Sequence, residues 1–122
     1  MPILEVEFIG AVSREIRSGL AQRIADAAAA AFDSAPQGTW VKLRFLDEKS
    51  YAENSAVRPS TAQPVFVSVT QSSLPAEPER SEQASVLSNA IADLSDRPVE
   101  NVHILFEPPA AGRIFFGGRL RS

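Results

Sequence analysis

The chain repeats one pattern twice, and this repeat limits the possible folds more than any other feature of the sequence. Each half begins at a proline, with PILEVEF from Pro2 and PVFVSV from Pro64. The step from Pro2 to Val41 is 39 residues, and the step from Pro64 to His103 is also 39 residues. Self-similarity at a fixed spacing indicates copies of one supersecondary unit that share a core.

The first half is predicted to be a strand, a helix and a second strand. Residues 3–9 alternate apolar and acidic side chains, which is the period of a half-buried strand. Ser13 is predicted to cap a helix whose apolar positions recur every three or four residues as far as Phe32. Residues 40–46 alternate again and predict the second strand.

The second half restarts this order after residues 47–63, which are polar, contain a proline and are predicted to form a long loop. Residues 65–70 and 102–106 predict its two strands. Ser81 is predicted to cap the helix between them, which runs to about residue 95.

A short apolar run, residues 114–116, precedes Gly117 and Gly118 near the end of the chain. We expect this run to add to the sheet edge of a neighbouring subunit.

Right-handed crossovers make the two strands within each half parallel. The predicted fold is therefore α/β (α+β): two pseudo-symmetric β-α-β halves form one four-stranded sheet with both helices on one face. We expect a single domain over residues 1–122, with repeats at 2–46 and 64–107. Leu20 and Leu87, in the middle of the two helical stripes, should be buried against the same sheet face.

The two faces of the predicted sheet differ in polarity. The core face would carry Leu4, Val6, Phe8, Val41, Leu43, Phe45, Val102, Ile104 and Phe106. The other face would carry Glu5, Glu7, Lys42, Arg44, His103 and Leu105. Because parallel sheets normally have both faces covered, we expect another subunit to cover the second face.

Composition excludes several classes of function. With 12 basic and 15 acidic residues the net charge is −3, which does not suit a protein that neutralises nucleic-acid phosphates. The chain has no cysteine and one histidine, which predicts no disulfide framework and no metal site. No stretch approaches the ~20 apolar residues that span a bilayer, and the first residues are not those of a signal peptide. We therefore expect a cytoplasmic protein without nucleic-acid or membrane partners.

The chain resembles the tautomerase superfamily, which includes 4-oxalocrotonate tautomerase and macrophage migration inhibitory factor. The resemblance is carried by PILEVEF, PVFVSV and DRPVENVHILFEPPAAGRIFFGGRL, and it extends over nearly the whole sequence. It implies a doubled β-α-β unit, assembly as a homotrimer with the sheets facing inward, and a chain that starts at Pro2 once Met1 is removed.

The resemblance also implies a chemistry for Pro2. A free N-terminal proline is a secondary amine, and an α-amino group titrates near ~8. An apolar pocket or a neighbouring cation lowers that pKa, so the neutral amine can act as a general base near neutral pH. The implied activity is cofactor-independent tautomerisation of small 2-oxo acids. If Met1 is retained, Pro2 is an amide without basicity.

Four basic side chains are candidates for binding the substrate carboxylate. By resemblance, Lys42 occupies the place of a carboxylate-binding arginine, His103 the matching place in the second half, and Arg113 the tail that lines the pocket; Arg44 lies on the same strand as Lys42. The alternatives are structural. Lys42 and Arg44 would pair with Glu5 and Glu7, His103 would be a hydrogen-bonded inward-facing residue, and Arg113 would be solvated.

The sequence also departs from the family. Ala11, Val12 and Ser13 stand where the short tautomerases place a substrate-binding arginine, so a diacid substrate is not implied. Glu53 and Glu107 are available for a hydratase, dehalogenase or decarboxylase activity. A non-catalytic trimeric binding module of the same fold is the other alternative.

Overall fold

The computed structural model describes residues 2–55 and 63–120 and contains one main sheet with helices on one side. The four strands of that sheet are β1 (Ile3–Ile9), β2 (Trp40–Leu46), β3 (Val65–Thr70) and β4 (Val102–Phe106). The helices are α1 (Arg14–Arg17), α2 (Leu20–Phe32) and α3 (Glu79–Ser95), and short 3₁₀ turns cover Glu48–Ser50 and Val99–Asn101. No helix in the described part of the chain is both long and apolar enough to cross a bilayer.

The sheet has the order β2-β1-β3-β4. β1 runs parallel to β2, and β3 runs parallel to β4, which confirms the two predicted β-α-β halves. The halves meet in the middle of the sheet, where β1 and β3 pair antiparallel with Val6 opposite Val67. Two equivalent strands side by side and antiparallel give the molecule a pseudo-twofold axis between them.

The core lies between the helices and one face of the sheet. Leu20 of α2 and Leu87 of α3 are both fully buried in the same cluster as the inward residues of β1 and β3, so their predicted burial is confirmed. All nine residues predicted for the core face belong to this cluster or pack against it. Val41, Leu43 and Phe45 are only partly buried, because β2 is an edge strand.

The first helical segment is interrupted, whereas the sequence predicted one continuous helix from Ser13 to Phe32. Ser13 caps α1 as expected, and its hydroxyl accepts a hydrogen bond from the Ile16 amide at 3.3 Å. Gly19 then has φ of +69°, a left-handed conformation that cannot continue a helix, and α2 begins at Leu20. The period of the apolar residues continues across this break, which is why the pattern alone did not reveal it.

The prediction that Ser81 caps the second helix is wrong, since α3 already begins at Glu79. Ser81 instead donates its backbone N–H and its hydroxyl to the two oxygens of the Glu77 carboxylate, at 2.8 and 2.6 Å. These hydrogen bonds lower the pKa of Glu77. A carboxylate at a helix N-terminus also interacts favourably with the helix dipole.

Arg97, just after α3, joins the two halves through its guanidinium group, and the residue as a whole is only 8% exposed. It donates hydrogen bonds to the carbonyl oxygens of Ile9 (2.7 Å), Gln63 (2.9 Å) and Ala11 (3.3 Å), with a longer contact to Pro64 (3.4 Å). Burial lowers the pKa of Arg97, although an arginine remains charged at any pH at which proteins fold. Arg97 thus ties the end of β1 to the start of β3.

The C-terminal residues form a hairpin of their own, with β5 (Phe115–Phe116) antiparallel to β6 (Arg119–Leu120). The sequence predicted that this apolar run would add to a neighbour's sheet edge. In the single chain it pairs instead with the residues that follow it, and Phe116 packs on Trp40 of the same chain at 4.9 Å between ring centroids.

Candidate functional site

The sheet face opposite the helices, called here the open face, carries three rows of side chains. The row nearest Pro2 contains Trp40, Ile3, Thr70 and Glu107; the middle row contains Lys42, Glu5, Ser68 and Leu105; the far row contains Arg44, Glu7, Phe66 and His103. The row nearest Pro2 defines the proline end of the open face, and the far row defines the far end.

Pro2 is buried immediately before β1, and its carbonyl oxygen accepts a hydrogen bond from the Trp40 amide at 3.0 Å. The first strand therefore starts beside β2, with the nitrogen side of Pro2 at the margin of the sheet. Met1, whose removal the sequence-based mechanism needs, lies outside the described residues.

A concavity of about 460 Å³ lies at the proline end. Its polar lining includes two carboxylates, Glu5 and Glu107, the hydroxyls of Ser68 and Thr70, and the guanidinium of Arg113. The Ser68 hydroxyl donates to the Glu107 carboxylate at 2.8 Å, and this hydrogen bond joins β3 to the residue that follows β4. Such a mixture of acidic, hydroxyl and basic groups can position a small polar molecule and move protons.

Lys42 is an open-face residue in the middle row, and its ammonium lies 3.0 Å from the Glu5 carboxylate. This is the interstrand ion pair that the sequence offered as the alternative role for Lys42. The side chains are 68% and 52% exposed, so the pair is weakly held and its lysine can exchange to another carboxylate at small cost.

Arg44 and His103 lie at the far end, in register with Glu7 of β1. Glu7 lies five positions along the chain from Pro2, which is about 17 Å at the rise of a β-strand. A single chain therefore does not bring Arg44 and His103 to Pro2. Only a neighbouring chain could add equivalent residues there.

The far end is aromatic. The His103 and Phe66 rings lie 5.6 Å apart between centroids, and Tyr51 also packs against Phe66, at 5.9 Å. The Tyr51 hydroxyl donates to Glu53 at 2.6 Å, and this hydrogen bond raises the pKa of Tyr51. Of the two glutamates considered for water activation, Glu53 thus lies with Tyr51, away from Pro2, whereas Glu107 lies at the proline end.

Arg113 lines the concavity at the proline end, and its guanidinium is engaged by backbone carbonyls. Its Nε and Nη2 atoms donate to the carbonyl oxygens of Pro108 and Pro109, at distances between 2.8 and 3.2 Å. These contacts are within its own loop, and Arg113 remains exposed.

Sequence reasoning missed Trp40 as a residue of this region. Trp40 is 49% exposed, unusual for an indole, and it opens β2 directly beside Pro2. Its position two residues before Lys42 was enough to place it on the open face. Its contact with Phe116 could not be found in this way, because the two residues are far apart in the sequence.

The overall fold matches those of several solved structures. The structure of the fused 4-OT symmetric trimer superposes with a TM-score of 0.80 at 11% identity, over 97% of this chain and 94% of that chain. A macrophage migration inhibitory factor-like protein from Entamoeba histolytica gives 0.71 at 8% identity, over 94% of both chains. FG41 malonate semialdehyde decarboxylase, inhibited by 3-bromopropiolate, gives 0.70 at 15% identity, over 93% of this chain and 88% of that chain.

No protein-family model matches the chain, and no curated protein matches it in sequence. The chain therefore has the four-stranded α+β fold of the 4-OT and macrophage migration inhibitory factor-like structures, which confirms the fold implied by the sequence. These neighbours carry different activities on one fold, so the activity has to be argued from the residues of the site.

Proposed function

We propose that this protein is a cofactor-independent tautomerase of small 2-oxo acids, in which the amine of Pro2 is the general base once Met1 has been removed. The observation that carries the proposal is the position of Pro2 directly before Ile3, which pairs with Thr70, one of the residues that line the concavity at the proline end. A ring-constrained secondary amine at the same end of the sheet as acidic, hydroxyl and basic side chains has the properties that enolisation requires.

The proposed reaction conserves protons. The neutral amine takes a proton from the carbon next to the substrate carbonyl, and the protonated amine returns it to the enolate oxygen to give the enol. Lys42 leaves Glu5 to bind the substrate carboxylate, and its positive charge also favours the neutral form of the amine. The reverse sequence converts an enol into the 2-oxo acid.

The proposed assembly is a homotrimer in which the open face is covered by neighbouring copies. Phe66 and Leu105 are exposed apolar residues on this face, and the fused 4-OT neighbour is a trimer. A neighbouring copy could also supply Arg44 and His103 to the proline end of the next chain. Light scattering at micromolar concentration should give three times the chain mass, and a monomer mass would contradict the assembly.

The decisive experiment combines an intact mass with a keto–enol assay on phenylenolpyruvate and 2-hydroxymuconate. We expect a chain that starts at Pro2, and a Pro2→Ala variant that folds but has lower kcat, because a primary amine replaces the ring-constrained one. Pro64→Ala is the matched control, since Pro64 opens the second half but its nitrogen lies in a peptide bond. Retention of Met1, or full activity of Pro2→Ala, would show that the amine is not the base.

A second candidate is favoured by Glu107. Its carboxylate is held by Ser68 within the same concavity as Arg113, an arrangement able to activate water for a hydratase, dehalogenase or decarboxylase reaction. Glu107→Gln distinguishes the two functions, because it should abolish hydration of an acrylate while leaving enolisation intact. If Met1 is retained, or neither reaction is detected, a non-catalytic binding module becomes the better proposal.

A further inference from the structure

The C-terminal segment crosses the open face at the proline end. It leaves β4 at one edge of the sheet, where the Ala110 and Ala111 amides donate to the carbonyls of Gln71 (2.9 Å) and Ser72 (3.1 Å). Ile114 then lines the concavity together with Glu5 of β1 and Ser68 of β3. At the opposite edge, on β2, the segment ends its crossing against Trp40.

Arg113 closes the turn from which this crossing starts. Its backbone amide donates to Ala110 at 2.8 Å, and its side chain donates to the carbonyls of Pro109 (3.1 and 2.8 Å) and Pro108 (3.2 Å). Because the two prolines have restricted φ angles, the guanidinium donates its hydrogen bonds to a conformationally restricted segment. The planar fork of arginine makes these parallel donations possible, whereas a lysine ammonium cannot reproduce them.

Trp40 and Phe116 form the contact at the other end of the crossing. The indole N–H donates to the Gln37 carbonyl at 2.9 Å, which fixes the ring, and Phe116 packs on it at 4.9 Å with the planes inclined by 54°. Gly117 and Gly118 have φ of +59° and +83°, so a tight turn reverses the chain immediately after Phe116. The contact with Trp40 and the turn at Gly117 and Gly118 together orient the Phe116 ring.

We propose that Arg113 is a positioning residue that holds the C-terminal segment across the proline end, and that it acts on the site through Phe116 and Trp40 instead of binding the substrate. The proline carbonyls already accept the N–H groups of its Nε and Nη2 atoms, so these donors serve the loop. The aromatic pair lies next to Pro2, whose carbonyl accepts from the Trp40 amide, and Ile114 lines the concavity at the proline end. The kinetic consequence of this role rests on the proposed function, but the structural role does not.

Trp40 is the only tryptophan in the chain, so its fluorescence reports on this contact directly. Arg113→Ala and Arg113→Lys should both shift the emission to longer wavelength and make it easier to quench with acrylamide, as should Phe116→Leu. The double variant Arg113→Ala/Phe116→Leu should show no further shift, since both changes remove the same contact. Arg119→Ala, which removes an exposed charge from the same hairpin, is the matched control and should leave the spectrum unchanged.

Kinetics separate positioning from binding. If Arg113 bound the substrate carboxylate by charge, Arg113→Lys would keep most of the affinity. We expect instead that Arg113→Lys and Arg113→Ala raise KM several-fold to the same extent and change kcat little. Circular dichroism of each variant checks that the exposed substitutions leave the fold intact.

Two results would overturn the proposal. The first is that Phe116→Leu shifts the Trp40 emission but Arg113→Ala leaves it unchanged. The second is that Arg113→Lys behaves like the wild type in both the fluorescence and the kinetic measurements. If the unmodified protein has no tautomerase activity, the proposed function fails, and the fluorescence comparison alone then decides the role of Arg113.

Discussion

The two halves of the molecule follow the same plan but are held together by different means. In the first half the helical segment breaks at Gly19, whereas in the second half α3 runs unbroken for 17 residues. A neutral serine, Ser13, caps the first helical segment, and the carboxylate of Glu77 caps the second. Both halves therefore reach the same strand–helix–strand arrangement with different helix starts and with or without a break in the helix. The buried apolar faces, which the two halves share, determine this arrangement.

Two arginines, each near a proline that opens one half, also satisfy backbone carbonyl groups in different ways. Arg97, buried near Pro64, satisfies carbonyl groups of both halves. Arg113, exposed near Pro2, satisfies carbonyl groups of its own loop. Pro64 lies inside the chain and cannot provide a free amine, so a doubled fold provides only one candidate base.

The largest expected effect tests whether the two halves support one core equally. Leu20→Ala and Leu87→Ala should each lower the free energy of unfolding by roughly 2–5 kcal/mol, because each leaves a cavity at a fully buried position. Urea denaturation measures both values. Val86→Ala, next to Leu87 but exposed, is the control and should be nearly neutral. A large loss at one leucine with none at the other would show that the halves are not equivalent.

The second prediction sharpens the comparison between the two arginines. Arg97→Met keeps the apolar stem but leaves buried carbonyl groups without donors, and it should cost about 3 kcal/mol of folding stability. Arg113→Met acts on exposed carbonyls and should cost less than about 1 kcal/mol. Thermal and urea unfolding of the two variants provide the comparison, and equal losses would contradict it.

The smallest expected effect concerns the two helix caps and their response to pH. Hydrogen bonds from Ser81 lower the folded-state pKa of Glu77, so its contribution to stability is present above the unfolded-state pKa of about 4.3 and is lost as pH falls through the lower folded value. Glu77→Gln should therefore flatten the acid side of the stability curve. Ser13→Ala should lower stability by about 1 kcal/mol without changing its shape between pH 3 and 7. A Glu77→Gln curve parallel to that of the parent would contradict this cause.

Sequence periodicity was sufficient for the four main strands and for the burial of both central leucines. The alternation around Val6 and Leu43, and the stripes around Leu20 and Leu87, are local patterns that follow from the geometry of strands and helices. The same patterns could not detect the break at Gly19, because a single left-handed residue leaves the apolar spacing on either side intact. They also misplaced the start of α3, because Ser81 lies inside the helix and donates both of its hydrogen bonds to the Glu77 carboxylate.

For the candidate site, alternation along the strands predicted the correct face for Lys42, Arg44 and His103 but not their distances from Pro2. The face of the sheet on which a side chain lies depends only on whether its position along the strand is odd or even, and this can be read from the sequence. Distance depends on the register between strands, and this register places Arg44 and His103 five residues along β1 from Pro2. Lys42 lies closer, and Arg113 reaches the same end only because its loop folds back.

The sequence by itself determined the doubled strand–helix–strand plan, the parallel pairing within each half and the division of each strand into a buried and an open face. These properties follow from periodicity and from the handedness of L-amino-acid chains, both of which act over short stretches. Only the tertiary structure decided that the halves meet antiparallel through β1 and β3, that Arg97 bridges them and that the C-terminal segment reaches Trp40. Those contacts join residues far apart in the chain, so they depend on how all the buried surfaces pack together at once.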